Sequence, residues 1–186
     1  MSKKKKAEQS EYDASTLSAL LKEKRKRGRP PRNVARQNVY VALRPDEKAL
    51  MKELAKLLPP GLTRADLADL AVTILTARME ALRRAVAGRN REIPEGVTDM
   101  GSLYLLWDLP LPPAQEDERW TSLRVSPQQV LELGRVHGTL NAAFGANRSE
   151  TFGLALALLG VYLQENPPGE TAVSLDDLRR QVQESV

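Results

Sequence analysis

The stretch Asn38-Val39-Tyr40-Val41-Ala42-Leu43-Arg44-Pro45-Asp46-Glu47 decides the reading of this chain. Its first six residues alternate with a period of two. Val39, Val41 and Leu43 fall on one face, and Asn38, Tyr40 and Ala42 on the other, as in a half-buried strand. A lone strand leaves its backbone donors and acceptors unpaired, so it needs a second strand from elsewhere. Pro45 ends the alternation, and Asp46 and Glu47 supply the negative charge that a helix N-terminus favours. Beyond them the period becomes about 3.6. Leu50, Leu54, Leu57 and Leu58 make an apolar stripe, with Lys48, Lys52, Glu53 and Lys56 on the opposite face. Pro59-Pro60-Gly61 breaks that helix. Thr63 is a suitable N-cap, with Asp66 three residues on, close to a capping box. Leu67, Leu70, Ala71, Ile74, Leu75, Met79 and Leu82 then mark a long second helix.

The order strand, helix, tight break, helix resembles the ribbon-helix-helix family of DNA-binding proteins. The residues that carry the resemblance are Val39-Tyr40-Val41-Ala42-Leu43, Pro45-Asp46-Glu47 and Leu62-Thr63-Arg64-Ala65-Asp66-Leu67. The resemblance implies that two copies pair their strands into an antiparallel ribbon that enters the DNA major groove, over a core of four helices.

A second copy follows. The two-residue alternation returns at Trp120-Thr121-Ser122-Leu123-Arg124-Val125. Thr121, Leu123 and Val125 share one face, and Ser122 and Arg124 the other. Ser126 is placed as an N-cap with Pro127 at the first helical position. Val130, Leu133, Val136 and Leu140 make the apolar stripe, Gly145 breaks it, and Asn147-Arg148-Ser149-Glu150 opens a long helix with a capping-box spacing. Pro45 falls opposite Pro127 and Thr63 opposite Asn147, at offsets of 82 and 84 residues. Two imperfect copies of one unit specify the fold more strongly than either alone. The expected architecture is mainly α with a short two-stranded antiparallel β-ribbon, a tandem ribbon-helix-helix chain. Pairing within one chain, as a pseudo-dimer, is preferred over pairing between chains. The second copy carries 4 Lys+Arg and 3 acids over residues 119–165, against 8 and 6 over residues 37–87. Its share in DNA binding is therefore the weaker.

Around these copies the chain divides into further segments. Residues 1–36 hold 12 Lys+Arg and 4 Asp+Glu, which leaves 16 and 20 for the rest of the 186 residues. A basic arm on an acidic remainder points to a polyanion partner. Within the arm, residues 24–32 read Lys24-Arg25-Lys26-Arg27-Gly28-Arg29-Pro30-Pro31-Arg32, and Arg27-Gly28-Arg29-Pro30 resembles the AT-hook. There Gly28 permits close approach to the groove floor, Pro30 keeps the chain extended, and the arginines suit a narrow minor groove. A plain phosphate-binding tail is the competing reading of Lys24, Arg25, Lys26, Arg27, Arg29 and Arg32. Residues 88–118 form a connector punctuated by Gly and Pro, whose apolar segment 103–109 is expected to brace the core. Residues 166–186 form a tail in which Ser174 caps a short helix bearing Leu175, Leu178 and Val182.

The resemblance assigns roles by position. Asn38, Tyr40, Ala42, Ser122 and Arg124 are the expected base readers. Asn suits adenine, Arg suits guanine, and an alanine methyl suits a thymine methyl. Thr63, Arg64, Asn147, Arg148 and Ser149, at the starts of the long helices, are the expected phosphate holders. No cofactor, metal site or catalysis is expected. The chain has no Cys and a single His, His137, and carries no phosphate loop or dinucleotide fingerprint. No apolar run approaches a membrane span, and no apolar stretch follows Lys3 to Lys6, so no membrane association or secretion signal is expected. The expected role is a cytoplasmic, nucleoid-associated, sequence-specific regulator of double-stranded DNA, a transcriptional repressor or plasmid-maintenance factor, assembled as a homo-oligomer. Two alternatives stand beside it. One is an antitoxin-like or assembly protein that binds a partner through residues 103–109 or 166–186. The other is an architectural protein that coats DNA with little sequence choice.

Overall fold

The computed structural model describes residues 35–87, 93–113, 117–167 and 174–185. The basic segment 24–32 lies outside the described residues. In chain order the elements are β1 (Gln37–Leu43), α1 (Pro45–Leu57), α2 (Arg64–Ala85), α3 (Met100–Leu106), β2 (Arg119–Val125), α4 (Pro127–Phe144), α5 (Arg148–Glu165) and α6 (Leu175–Glu184). The described chain is thus mainly helical with one two-stranded antiparallel sheet.

Each boundary has a local cause. Pro45 and Pro127 open α1 and α4 at a position where the missing N–H costs nothing. Asn147 caps α5 reciprocally: its Oδ1 accepts from the Glu150 N–H at 2.9 Å, and Glu150 Oε2 accepts from the Asn147 N–H at 2.7 Å. At the start of α2 the Asp66 carboxylate accepts from both the Thr63 N–H, at 2.6 Å, and its hydroxyl, at 2.7 Å. Gly145 closes α4 at φ 71°, a left-handed conformation that costs glycine nothing. Asp99 and Ser174 cap α3 and α6 through their side chains.

β1 pairs with β2 of the same chain, in a register that sets Asn38 against Arg124, Tyr40 against Ser122 and Ala42 against Trp120. Val39, Val41, Leu43, Leu123 and Val125 turn inward and are buried. Beneath them, α2 and α5 form the centre of the molecule. α2 is buried without interruption from Asp66 to Leu75, because α4, α5, α6 and the ribbon cover it from several sides. α5 is apolar almost all round for the same reason.

The inner stripe of α1 differs from the expected one. Met51 and Leu54 are buried and Leu50 is partly covered, whereas Leu57 is exposed at the helix end, just before the chain turns away at Pro59. The connector segment forms α3, which buries Leu103 and Tyr104, while Leu109 is buried just beyond it. Burial raises the Tyr104 phenol to about 12. The tail helix α6 lies on α2 and buries Leu178 and Val182 there.

Candidate nucleic-acid interface

The outer face of the ribbon follows from its register. With Val39, Val41 and Leu123 turned inward, the alternate residues Asn38, Tyr40, Ser122 and Arg124 are exposed on the opposite face. Trp120 belongs to this face as well and is 76% exposed, beside Tyr40 at 61%. Sequence reasoning passed over Trp120, although the same two-residue period that picks out Ser122 and Arg124 also picks it out. Ala42 shares the face but is only 7% exposed. It stands opposite Trp120, and its N–H donates to the Ser149 hydroxyl at 2.8 Å, so the start of α5 closes over it.

Both long helices begin beside an end of the ribbon. At one end, the bond from Ala42 to Ser149 ties β1 to the first turn of α5. At the other, the Arg36 guanidinium donates to the Arg124 carbonyl at 3.1 Å and to the Ala65 carbonyl, which joins β2 to the first turn of α2. Of the expected phosphate holders, Arg64, Asn147 and Arg148 are exposed and Thr63 is half-buried. Ser149 is buried, and its hydroxyl is committed to the ribbon.

On the α5 side these groups enclose an open groove of about 530 Å³. Tyr40, Ala42 and Trp120 line it from the ribbon, and Asn147, Arg148 and Ser149 from the helix start. His137 of α4 and Glu118 complete the wall. The structure therefore brings Tyr40 and Ala42 of β1 together with helix-start residues that lie more than 100 positions away in the chain. Positive charge on exposed Arg119, Arg124 and Arg148 is set against the carboxylates of Glu118 and Glu150.

Arg36, the last residue of the expected arm, is part of the folded unit, with its side chain 4% exposed. It pairs with Asp66 and, at 3.1 Å, with Asp69. Asp69 is fully buried and also meets Arg179 of α6 at 3.1 Å. A buried carboxylate needs such partners. Asp69 gains a further one in the Ser126 N–H at 2.8 Å, so it also caps α4. Burial pushes its carboxyl up, opposed by that N–H and the two guanidiniums. The Ser126 hydroxyl makes no capping bond; it accepts instead from Arg179 at 3.2 Å.

At the start of α1 the carboxylate comes from α1 itself. Glu47 Oε2 accepts from the Arg44 N–H at 2.8 Å, and it occupies space left open by Gly153. Gly153 and Asp69 are related by the offset of 84 that separates the two long helices, and Glu47 and Gln129 by the offset of 82. The starts of α1 and α4 are thus each met by one buried carboxylate, Glu47 from within α1 and Asp69 from α2.

Among the described residues no group of acidic, His or Cys side chains is placed to hold a metal ion, and no helix is long and apolar enough to cross a membrane. No family model, curated protein or solved structure matches the chain.

Proposed function

We propose that this protein is a sequence-specific double-stranded DNA-binding regulator, a transcriptional repressor or plasmid-maintenance factor. In this reading the two copies form a single-chain, tandem ribbon-helix-helix pseudo-dimer. The ribbon enters the major groove, the starts of α2 and α5 hold the flanking phosphates, and the basic arm adds affinity from the minor groove or the phosphates. The observation that carries it is the pairing of β1 with β2 so that Asn38, Tyr40, Ser122, Arg124 and Trp120 stand outward, with a long helix starting at each end. A two-stranded ribbon fits the major groove, and base edges there are read by such side chains.

The test is a fluorescence-anisotropy titration on duplex DNA that compares residues 1–186 with residues 34–186. Cutting before Val34 leaves Arg36 in place. The shorter chain is expected to bind duplex saturably with a smaller salt dependence, since fewer counterions are released. Arg124→Ala and Tyr40→Ala are expected to weaken specific binding by about tenfold each, within the range for one base contact. Binding that vanishes with residues 1–33 overturns ribbon readout and favours a second reading, a partner-binding assembly or antitoxin-like protein. That reading draws on Leu105, Leu106 and Leu111, which remain 65%, 48% and 56% exposed around α3. The stripe of the tail helix lends it less, because α2 already covers Leu178 and Val182.

A further inference from the structure

The outer face of the ribbon differs between its two ends. The offset of 82 that relates the copies sets Asn38 in correspondence with Trp120, Tyr40 with Ser122, and Ala42 with Arg124. None of these pairs is chemically alike. Antiparallel pairing then gathers Asn38 and Arg124 at one end and Ala42 and Trp120 at the other, with Tyr40 and Ser122 between them. A ribbon made from two identical chains would carry the same groups at both ends. This one presents an amide and a guanidinium at one end, and at the other an indole beside the covered Ala42.

The two ends suit different base edges. Arg offers two donors that match guanine N7 and O6, and Asn a donor for adenine N7 with an acceptor for its N6 amino group, both in the major groove. Trp120 has one N–H donor and a large apolar surface, and Ala42 adds no polar side-chain group. That end matches the methyl group of thymine, the apolar feature of the major groove. Trp120 is 76% exposed and lines the open groove beside Arg148, so no described segment covers its indole. Ala42 lies four residue steps beyond Asn38, roughly 13 Å of strand, which spans about four base-pair steps.

We infer that this ribbon recognises a duplex site without two-fold symmetry, with purine edges read by Asn38 and Arg124 at one end and thymine methyls read by Trp120 at the other. Trp120 is then a specificity-determining residue. The inference rests on the DNA-binding reading above.

The test is selection of a duplex library with a randomised core by the full chain, by Trp120→Ala and by Arg124→Ala. Both substitutions are at exposed positions, and circular dichroism verifies that the variants fold. The wild-type chain is expected to enrich a motif that lacks a palindrome, with purine and thymine preferences about four base pairs apart. Trp120→Ala is expected to relax discrimination about fivefold at the thymine end alone, and Arg124→Ala about tenfold at the purine end alone. A motif that is palindromic within the roughly four base-pair steps that one ribbon spans overturns the inference while leaving the DNA-binding reading in place. So does relaxation of the same positions by both variants, or of no position by either. Failure of the wild-type chain to select any sequence overturns sequence-specific binding itself, and this inference with it.

Discussion

Glu47 shows how one side chain depends on the absence of another. It is 5% exposed, its Oε2 accepts the Arg44 N–H, and its Oε1 meets the Arg44 guanidinium at 3.0 Å. Burial pushes its carboxyl above the ordinary glutamate value, opposed by the Arg44 N–H and charge. The raised value means the folded state holds this proton more tightly than the unfolded chain does. Its contribution to stability is therefore fully present below the ordinary value, about 4.3, and is lost as pH rises through the raised one. Glu47→Gln removes that titration. Urea unfolding of both proteins is expected to show the glutamine variant gaining on the wild type as pH rises above the ordinary glutamate value. A difference between the two that stays constant with pH would show that Glu47 titrates as an ordinary surface carboxylate.

At the scale of elements, the glycines separate helix propensity from packing. Gly134 and Gly138 lie in α4 with open space where a Cβ would stand. Alanine at either position is expected to stabilise the protein by about 0.5–1 kcal/mol, the helix-propensity difference. In α5, a Cβ on Gly153 would overlap Glu47 Oε1 and approach the Glu47 carboxyl carbon at 3.4 Å. Gly153→Ala gains the same propensity, but forces a buried carboxylate out of its hydrogen bonds, a cost of about 1–3 kcal/mol. The net effect is expected to be destabilising. Denaturant midpoints for the three variants check this, and a Gly153→Ala midpoint that rises with the other two would show Glu47 free to move. Helix propensity alone treats all three glycines alike. Only the neighbour across the helix contact distinguishes Gly153 from the others.

At the scale of the molecule, the ribbon is made within one chain. β1 and β2 are joined covalently through α1, α2 and the connector, so forming the sheet carries a loop-closure cost rather than an association cost. Strand pairing by itself is therefore expected to add no concentration dependence to the thermal midpoint, as calorimetry over a hundredfold dilution series would show. A midpoint that rises with concentration would mean that association between chains, by strand exchange or by assembly of folded units, contributes to stability. The tail also belongs to the fold. α6 covers α2 with Leu178 and Val182, and Arg179 reaches Asp69, which Arg36 approaches from before β1. The folded unit is thus held by residues from its first and last described segments.

Local chemistry alone determined where most elements begin. Pro45, Pro127, Asn147 and Ser174 act within a few residues of themselves, and the change of period at Pro45 needs no information from elsewhere. The alternation at Val39–Leu43 and Leu123–Val125 likewise determined which strand residues face the core. Tertiary structure decided the rest, because those outcomes depend on partners distant in sequence. Asp69 is stable in the interior through Arg36, Ser126 and Arg179, which come from three different segments. Ala42 is covered by Ser149, 107 residues away, so its place on the outer face did not make it exposed. Trp120 lies on that same face and remains open, because no described segment packs over it. A two-residue period assigns a side chain to a face of a strand; only the packing of the whole chain determines whether that face meets water.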